Sequence, residues 1–248
     1  MQKYLDICQE AVKNEEIFKT FKQHPHYTKL LEHCSYEMGT DYLEEIKKHS
    51  PYLLEHISKF ITNDTVGNPT VYWYKDINEN VSPTTLRYIK VLGDLINLFG
   101  SLDGMRIIEI GGGYGGQCKI IHDIAKPHSY TIIDLPEVLD LISKYLGEFN
   151  IQNVQLKKPG NLTENKYSLC ISNYAFTEVR RKYQNLYIKN VISKSNRGYI
   201  TCNFFGRTIP PMLSYDEIAT LKPNSKFLPE IPLTAHKNIV YVWNLPVK

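Results

Sequence analysis

The sequence predicts an α/β protein with a mainly parallel sheet and an N-terminal helical region. From Met105 onward, short runs rich in β-branched residues alternate with runs of helical periodicity. The first of these short runs leads into a glycine-rich turn and then into another helical run. Residues 1–61, in contrast, show only helical periodicity. Strands that alternate with helices form βαβ units, whose strands lie parallel in one sheet.

Residues 1–81 are predicted to form a helical region with a connecting loop. Apolar residues recur at helical spacing from Leu5 to Phe21, until His24 and Pro25 interrupt the pattern. The helices predicted next are Tyr27–Glu37, Asp41–Lys48 with Thr40 as its cap, and one that begins at Ser50 and Pro51, with serine at the N-cap and proline at N1. Residues 62–82 lack helical periodicity and are predicted to form the connecting loop, which contains a short strand-like piece at Val71–Tyr74. We expect this region to act as a lid or as a dimerisation surface.

Residues 82–248 are predicted to form the α/β domain. Ser82 and Pro83 repeat the helix-start signal, and this helix ends before Gly100. The predicted strands are Arg106–Ile110, Tyr130–Asp134, Val154–Leu156, Leu169–Ser172, Gly198–Cys202 and Ile239–Trp243. The predicted helices between them are Gly116–Ala125, Pro136–Glu148, Val179–Lys194 and Tyr215–Leu221, the last opened by a capping box from Ser214 to Glu217.

Composition and charge exclude several classes of partner. The net charge is +3, and the lysines alternate with acids without forming the basic stripe that nucleic-acid backbones require. No apolar run approaches the roughly 20 residues of a membrane span, and the first residues contain no signal-peptide pattern. Five cysteines without a Cys-x-x-Cys pair are typical of a reducing compartment. We therefore expect a cytoplasmic protein that binds neither nucleic acid nor membrane, and a homodimer if the N-terminal helices supply a dimer surface.

The most informative segment runs from Arg106 to Gln117 as a strand, a glycine-rich turn and the start of a helix. Gly111, Gly113 and Gly116 satisfy the pattern G-x-G-x-x-G. Glycine lets a ligand lie directly on the backbone of such a turn, because a Cβ would occupy that space. The alternative is that these glycines only make a tight turn. Two carboxylates near the turn favour a cofactor site.

Glu109 and Asp134 help to separate the cofactors that the turn could hold. Glu109 lies two residues before the first glycine, where it would repel a diphosphate and attract the ammonium and sulfonium groups of S-adenosylmethionine. Asp134 ends the next predicted strand, where it can accept hydrogen bonds from the ribose hydroxyls of either cofactor class or cap the following helix. Glu109 thus favours S-adenosylmethionine over NAD.

The segment Glu109–Gly116 resembles the first motif of class I methyltransferases. Ile133–Val138, which contains Asp-Leu-Pro, is similar to the second motif of small-molecule O-methyltransferases. The resemblance implies a Rossmann-like fold with a seven-stranded, mainly parallel sheet and helices on both faces. It implies S-adenosyl-L-methionine as cofactor, with contacts from Glu109, Gly111, Gly113, Tyr114, Asp134 and Leu135. Asn161 stands where these enzymes often carry an acid beside the adenine, which implies an adenine contact by an amide instead.

A narrower resemblance, over roughly residues 60–245, is to the sugar O-methyltransferase family. It rests on Asn68-Pro69, Ser82–Tyr88, the glycine turn and Ser172–Glu178. It implies that the methyl acceptor is a hydroxyl of a sugar, a nucleotide sugar or a glycan.

A hydroxyl acceptor must lose its proton, so a general base is expected beyond the carboxyl ends of the strands. Glu178 follows the strand that ends at Ser172, although it could equally stabilise only the first turn of the next helix. His236, in the loop before the last strand, is the second candidate, with an ordinary surface histidine as the alternative.

Four further residues are candidates for ligand contacts. Arg87 is expected to bind the methionine carboxylate or an acidic sugar, and Asn173 to contact the cofactor. Tyr114 is expected to wall the cofactor pocket, and Tyr174 to contact the substrate. No set of histidines and acids has metal-site spacing, so we expect no metal.

Other functions remain open from the sequence alone. An NAD-dependent sugar oxidoreductase or epimerase would need a Tyr-x-x-x-Lys motif, and the segments beginning at Tyr183, Tyr187 and Tyr241 lack the lysine. A methyltransferase of a non-sugar small molecule and a non-catalytic protein with the same fold are the remaining alternatives.

Overall fold

A computed structural model describes residues 1–162, 165–204 and 212–245. The chain divides into two compact units, each made of several segments. The helical unit comprises Met1–Asn97, Gly113–Ala125 and Pro136–Gln152, and the sheet unit comprises Leu98–Gly112, Lys126–Leu135 and Asn153–Lys248. Each unit combines segments that are close in space but separate in the sequence. The predicted domain boundary between residues 81 and 82 therefore stays a prediction.

The helical unit begins with short helices connected by turns. The helices are α1 (Gln2–Lys13), α2 (Glu15–Phe18), α3 (Pro25–Thr28), α4 (Tyr36–His49) and α5 (Ile57–Phe60). The 3₁₀ turns between and after them are Phe21–Gln23, Pro51–His56 and Ile61–Thr65. α1 buries Ile7, Cys8 and Ala11, whose spacing of one, three and four residues places them on one side of the helix.

Several predicted helix boundaries in this region are wrong. Tyr27–Glu37 is not one helix, because α3 ends at Thr28 and α4 begins at Tyr36. The hydroxyl of Ser35 accepts the Met38 N–H at 3.3 Å, so the cap of α4 lies five residues before the predicted one. Thr40 therefore lies inside α4, where its hydroxyl donates to the Tyr36 carbonyl at 3.1 Å. Pro51 opens a 3₁₀ turn instead of an α-helix.

The rest of the helical unit follows the predictions more closely. β1 (Tyr72–Tyr74) confirms the short strand, and it pairs with an unpredicted antiparallel partner, β2 (Glu79–Val81). α6 (Pro83–Phe99) begins as predicted, since the Ser82 hydroxyl accepts the Thr85 N–H at 3.2 Å. α7 (Gly116–His122) and α8 (Pro136–Gly147) complete the unit, and α8 packs against α1.

The sheet unit is built on seven strands. They are β3 (Arg106–Ile110), β4 (Ser129–Ile133), β5 (Val154–Lys157), β6 (Tyr167–Asn173), β7 (Ser195–Cys202), β8 (Ser225–Pro229) and β9 (Ile239–Trp243), in the order β5-β4-β3-β6-β7-β9-β8. Neighbouring strands are parallel from β5 to β7, whereas β9 runs antiparallel to both β7 and β8. This topology confirms the predicted mainly parallel, Rossmann-like sheet. β8 was missed because its sequence, SKFLP, has no β-branched residue.

The helices of the sheet unit are short. α9 (Ala175–Glu178) precedes the predicted helix over Val179–Lys194. That helix is present in shorter form, because α10 (Arg181–Tyr187) continues directly into a π-helical turn at Ile188–Ile192. α11 (Tyr215–Ala219) confirms the predicted capping box.

The topology brings the candidate residues of the sheet unit to one edge. Parallel strands end at the same edge of a sheet, and the register places Ile110 beside Ile133 and Asn173 beside Thr201. Glu109, Asp134 and Tyr174 lie at or just beyond these carboxyl ends. In α/β sheets this edge, near the point where the strand order reverses, is where ligands bind. Here the order reverses between β3 and β6.

Within the described part of the chain, no helix combines the length and apolarity needed to cross a membrane.

Candidate functional site

The turn after β3 leaves no room for a side chain at its first glycine. Gly111 has φ +80°, and its N–H donates to the Ile133 carbonyl at 2.9 Å. A Cβ added at Gly111 would lie 2.1 Å from the Cβ of Ala175, at the start of α9. Both the backbone conformation and the contact with Ala175 therefore require glycine, whether or not a ligand binds.

Asp134 holds the next residue of this turn. One carboxylate oxygen accepts the Gly112 N–H at 2.9 Å, and the other accepts the Leu135 N–H at 2.8 Å. Asp134 and Leu135 are both half-buried. Each carboxylate oxygen can accept more than one hydrogen bond. Asp134 can therefore fix the turn and also accept bonds from a ligand, which fits the predicted ribose contact.

Glu109 lies in a different environment from the one its sequence position implied. Glu109 is only 2% exposed, and its carboxyl group accepts a hydrogen bond from the Tyr130 hydroxyl at 2.8 Å. Burial raises the pKa of the Glu109 carboxyl to about 8, the Tyr130 hydrogen bond opposes this shift, and the nearby Asp134 charge adds to it. The carboxyl is thus mainly protonated at neutral pH. The raised pKa therefore removes most of the charge that was expected to separate S-adenosylmethionine from NAD.

The later glycines of the turn belong to the helical unit. Gly113 has φ +59°, and the Leu31 side chain lies 3.4 Å from the position of a Cβ there. A Cβ on Gly116 would lie 2.4 Å from the Tyr88 ring. Gly116 is therefore explained by close packing inside this unit.

The placement of Tyr114 does not support its predicted role as a pocket wall. The residue is fully buried in the helical unit, and its ring packs edge-on against Tyr88 and Tyr145. Its hydroxyl accepts the Asn63 side-chain N–H at 3.1 Å, and Lys22 Nζ lies 4.1 Å from the ring centroid. No ring surface is left for a cofactor, so Tyr114 acts in the core.

Arg87 is also largely inside the helical unit. It lies on α6, is 9% exposed, and donates to the Leu31 carbonyl at 3.3 Å. Its predicted contact with a carboxylate stays a prediction, and the observed contact gives it a packing role beside the segment that covers Gly113.

Two candidate residues end β6 in the sheet unit. The side-chain oxygen of Asn173 is buried and has no hydrogen-bond partner among the described residues. Tyr174 follows with φ +68° and ψ −31°, an unusual conformation for an aromatic residue. Its hydroxyl donates to Glu230 at 2.5 Å and lies 3.3 Å from the Thr234 hydroxyl.

The two predicted bases differ in how they are held. Glu178 ends α9, is exposed, and accepts a hydrogen bond from the side-chain amide of Asn203. Asn203 is in turn bonded to the Thr177 hydroxyl through its backbone and its side chain. His236 is exposed in the turn before β9, and no hydrogen bond to its ring is formed within the described ranges. Asn203 thus orients the Glu178 carboxylate, whereas no hydrogen bond from the described residues orients the His236 ring.

Asn161, the predicted adenine contact, is exposed after β5, and its N–H donates to the Lys158 carbonyl at 2.9 Å. Over the described residues no group of three or more histidines, cysteines or acids could hold a metal ion.

Sequence reasoning missed three residues at this edge of the sheet. Ala175 explains Gly111, Asn203 orients Glu178, and Glu230 receives the Tyr174 hydroxyl. Two of them had a signal in the sequence, since Asn203 directly follows a predicted strand and Ala175 lies within the segment Ser172–Glu178. Glu230 follows β8, the strand that was missed, so nothing pointed to it.

No protein-family model matches the chain, and no curated protein matches it. Solved structures with a similar fold include an rRNA methylase from Streptococcus thermophilus, at 16% identity and a TM-score of 0.48, over 64% of this chain and 98% of that one. The magnesium protoporphyrin IX methyltransferase from Synechocystis, solved with bound SAM, has 13% identity and a TM-score of 0.49 over 63% and 76% of the two chains.

A third similar structure is the N-terminal domain of EvdMO1, solved in the presence of SAH and D-fucose. It has 16% identity and a TM-score of 0.46, over 58% of this chain and 77% of that one. At these identities the likeness concerns the fold, and TM-scores below 0.5 support no conclusion about activity or acceptor.

The raised pKa of Glu109 predicts a pH-dependent stability difference from Glu109→Gln. The folded protein holds the proton up to pH about 8, whereas the unfolded chain releases it near the ordinary value of 4.5. As pH rises from 4.5 to 8, the free energy of unfolding of the wild type should fall relative to the variant, by up to about 1.4 kcal/mol per pH unit. Denaturant unfolding across this range measures the difference. The exposed Glu148→Gln is the control, and a pH-independent difference would show that Glu109 is ionised.

Gly111→Ala should be strongly destabilising for two separable reasons. The positive φ costs roughly 1–3 kcal/mol, and the contact with Ala175 adds about 1–3 kcal/mol of overpacking. Gly104→Ala, at φ +68° with open space around it, should show only the first effect. The double variant Gly111→Ala with Ala175→Gly should recover only the free energy of unfolding lost to the contact with Ala175, as measured by urea unfolding. Equal losses for Gly104→Ala and Gly111→Ala would contradict the tight contact.

Proposed function

We propose that the protein is an S-adenosylmethionine-dependent methyltransferase that transfers a methyl group to a hydroxyl. The observation that carries the proposal is the sheet order together with the Asp134–Gly112 bond at the point where that order reverses. A dinucleotide-binding sheet continues with a sixth parallel strand beside the fifth. Here that place is taken by β9, which runs antiparallel to β7. The departure favours the methyltransferase class that the two sequence motifs resemble.

The sheet unit offers suitable partners for this cofactor. Asp134 would accept the ribose hydroxyls while it keeps its bond to Gly112. The side-chain oxygen of Asn173 is a buried acceptor that receives no hydrogen bond from the described residues, and the ammonium group of a methionine moiety would supply one. A nearby ammonium would also favour the ionised form of Glu109. When bound, the cofactor supplies a methyl group already activated by sulfonium, so the protein must align the acceptor, exclude water and take a proton.

The finer proposal is that the acceptor is a sugar, a nucleotide sugar or a glycan. It is supported by the likeness of Asn68-Pro69, Ser82–Tyr88 and Ser172–Glu178 to sugar O-methyltransferases. In this proposal Glu178, held by Asn203, faces the acceptor region that follows β6.

NAD-dependent chemistry is the second candidate, and one observation favours it. A protonated Glu109 would not repel a diphosphate as a charged one would. Calorimetry separates the two cofactors directly: S-adenosylhomocysteine should bind with measurable heat and NAD should not. Binding of NAD alone would overturn the methyltransferase proposal, and binding of neither would favour a non-catalytic protein.

The ribose role of Asp134 can be measured in the same experiment. Asp134→Ala should weaken S-adenosylhomocysteine binding by about 1.5–3 kcal/mol, the range for hydrogen bonds to a charged group. Asp134→Asn keeps one carbonyl acceptor and should lose less. The exposed Asp140→Ala should bind as the wild type does, and thermal unfolding of all variants checks that the turn is intact. An unchanged Kd for a folded Asp134→Ala would exclude Asp134 from the ribose contact.

A further inference from the structure

We infer that Tyr174 and Glu230 form a proton relay that takes the proton of a neutral hydroxyl acceptor. The inference rests on the proposed methyltransferase function and names the acceptor chemistry of that site. Tyr174 is the catalytic residue, in contact with the acceptor, and Glu230 is the positioning residue that acts through it.

Tyr174 is placed where an acceptor would bind. It directly follows β6, at the edge of the sheet where ligands lie, and its side chain is half-buried. Its backbone N–H donates to the Thr201 carbonyl at 3.0 Å, which continues the pairing of β6 with β7. A bulky residue at φ +68° is strained, and such strain concentrates at functional sites.

Glu230 is a buried carboxylate with donors on several sides. It follows β8 and is 7% exposed. It accepts the Thr234 N–H at 2.9 Å, the Thr234 hydroxyl at 2.8 Å and the Tyr174 hydroxyl at 2.5 Å. Three donors, with no acceptor among the residues that the structure describes, match an ionised carboxyl. Among the described residues, no lysine, arginine or histidine forms a salt bridge with it, and its observed partners are the hydrogen-bond donors of Thr234 and Tyr174.

The hydrogen bonds of this cluster all run toward Glu230. The Asn238 side chain donates to the Thr234 hydroxyl at 3.0 Å, and the Thr234 hydroxyl in turn donates a hydrogen bond to Glu230. Tyr174, which follows the carboxyl end of β6, donates to the same carboxylate. Because the phenol proton is committed to Glu230, the phenol oxygen is oriented to accept a hydrogen bond. An acceptor hydroxyl can donate that bond.

The relay accounts for the proton that the acceptor hydroxyl loses during methyl transfer. The acceptor oxygen bonds to the methyl carbon as the carbon–sulfur bond breaks, and sulfur keeps the electron pair. The hydroxyl proton moves to the Tyr174 oxygen, and the original phenol proton moves to Glu230, which becomes a neutral carboxylic acid. A carboxylate acceptor has no such proton to give, and its charge would face that of Glu230. The geometry thus selects an uncharged hydroxyl.

The test combines cofactor binding, methyl transfer and two variants of the full chain. Radiolabelled S-adenosylmethionine is offered with UDP-glucose, GDP-mannose and methyl glucosides as hydroxyl probes, and with benzoate and an alkylamine as non-hydroxyl probes. We expect label on a hydroxyl probe. Tyr174→Phe and Glu230→Gln should then lower kcat by roughly 100-fold or more, as expected for loss of a general base. KM and the Kd of S-adenosylhomocysteine should stay within about threefold of the wild type.

Glu230→Gln distinguishes the relay from a merely structural tie. Its amide oxygen can still accept the Tyr174 hydroxyl, but its NH2 group replaces the oxygen that accepts from Thr234, so we expect a lower melting temperature with the loop still attached. The amide cannot take the proton, and kcat is therefore compared below the melting temperature of the variant. Glu230→Asp restores a carboxylate and should recover part of kcat, and the exposed Asp216→Asn is the control.

A wild-type kcat in Glu230→Gln would overturn the relay. Label on none of the hydroxyl probes, in a protein that binds S-adenosylhomocysteine, would overturn the relay and the hydroxyl acceptor, and would leave standing only the broader proposal of an S-adenosylmethionine-dependent methyltransferase. A protein that does not bind S-adenosylhomocysteine would overturn both.

Discussion

The hydrogen bond from the Gly112 N–H to the Asp134 carboxylate is the contact on which the candidate site depends. It joins the turn after β3 to the end of β4, two strands that are already neighbours in the sheet. On the other side, the absent side chain of Gly111 lets Ala175 pack against the same turn. The turn is therefore held by a polar contact and by an apolar one. A ligand that binds a backbone fixed in advance loses less free energy to ordering.

Glu109 and Asp134 show how burial gives two carboxyls different tasks. Asp134 is half-buried and receives two backbone N–H groups, which stabilise its charge. Glu109 has one hydroxyl donor and almost no solvent, so burial dominates and raises its pKa to about 8. A Glu109 that is neutral when the site is empty and ionised beside a cation would couple cofactor binding to the release of a proton.

The end of β6 combines backbone strain with a dense polar network. Tyr174 adopts an unfavourable conformation, and the Glu230 cluster and the bond to Thr201 hold it there. Glu178, on the short helix α9 that follows, is oriented separately by Asn203. Two carboxylates thus flank one strand end, one buried and one exposed. A fold selected only for stability would relax the strain, so its persistence agrees with a functional role for this segment.

The sequence alone determined the βαβ alternation, six of the seven strands, the glycine turn and the acid at the end of β4. These features are local: a strand, a turn or a cap depends on residues within a few positions of one another. Tertiary structure decided the raised pKa of Glu109, the burial of Tyr114, the lack of space for a side chain at Gly111 and the hydrogen bond between Tyr174 and Glu230. Each of these depends on a residue distant in the chain, such as Ala175 or Glu230. Burial and long-range contacts set pKa and hydrogen-bond partners, and no pattern of neighbouring residues records them.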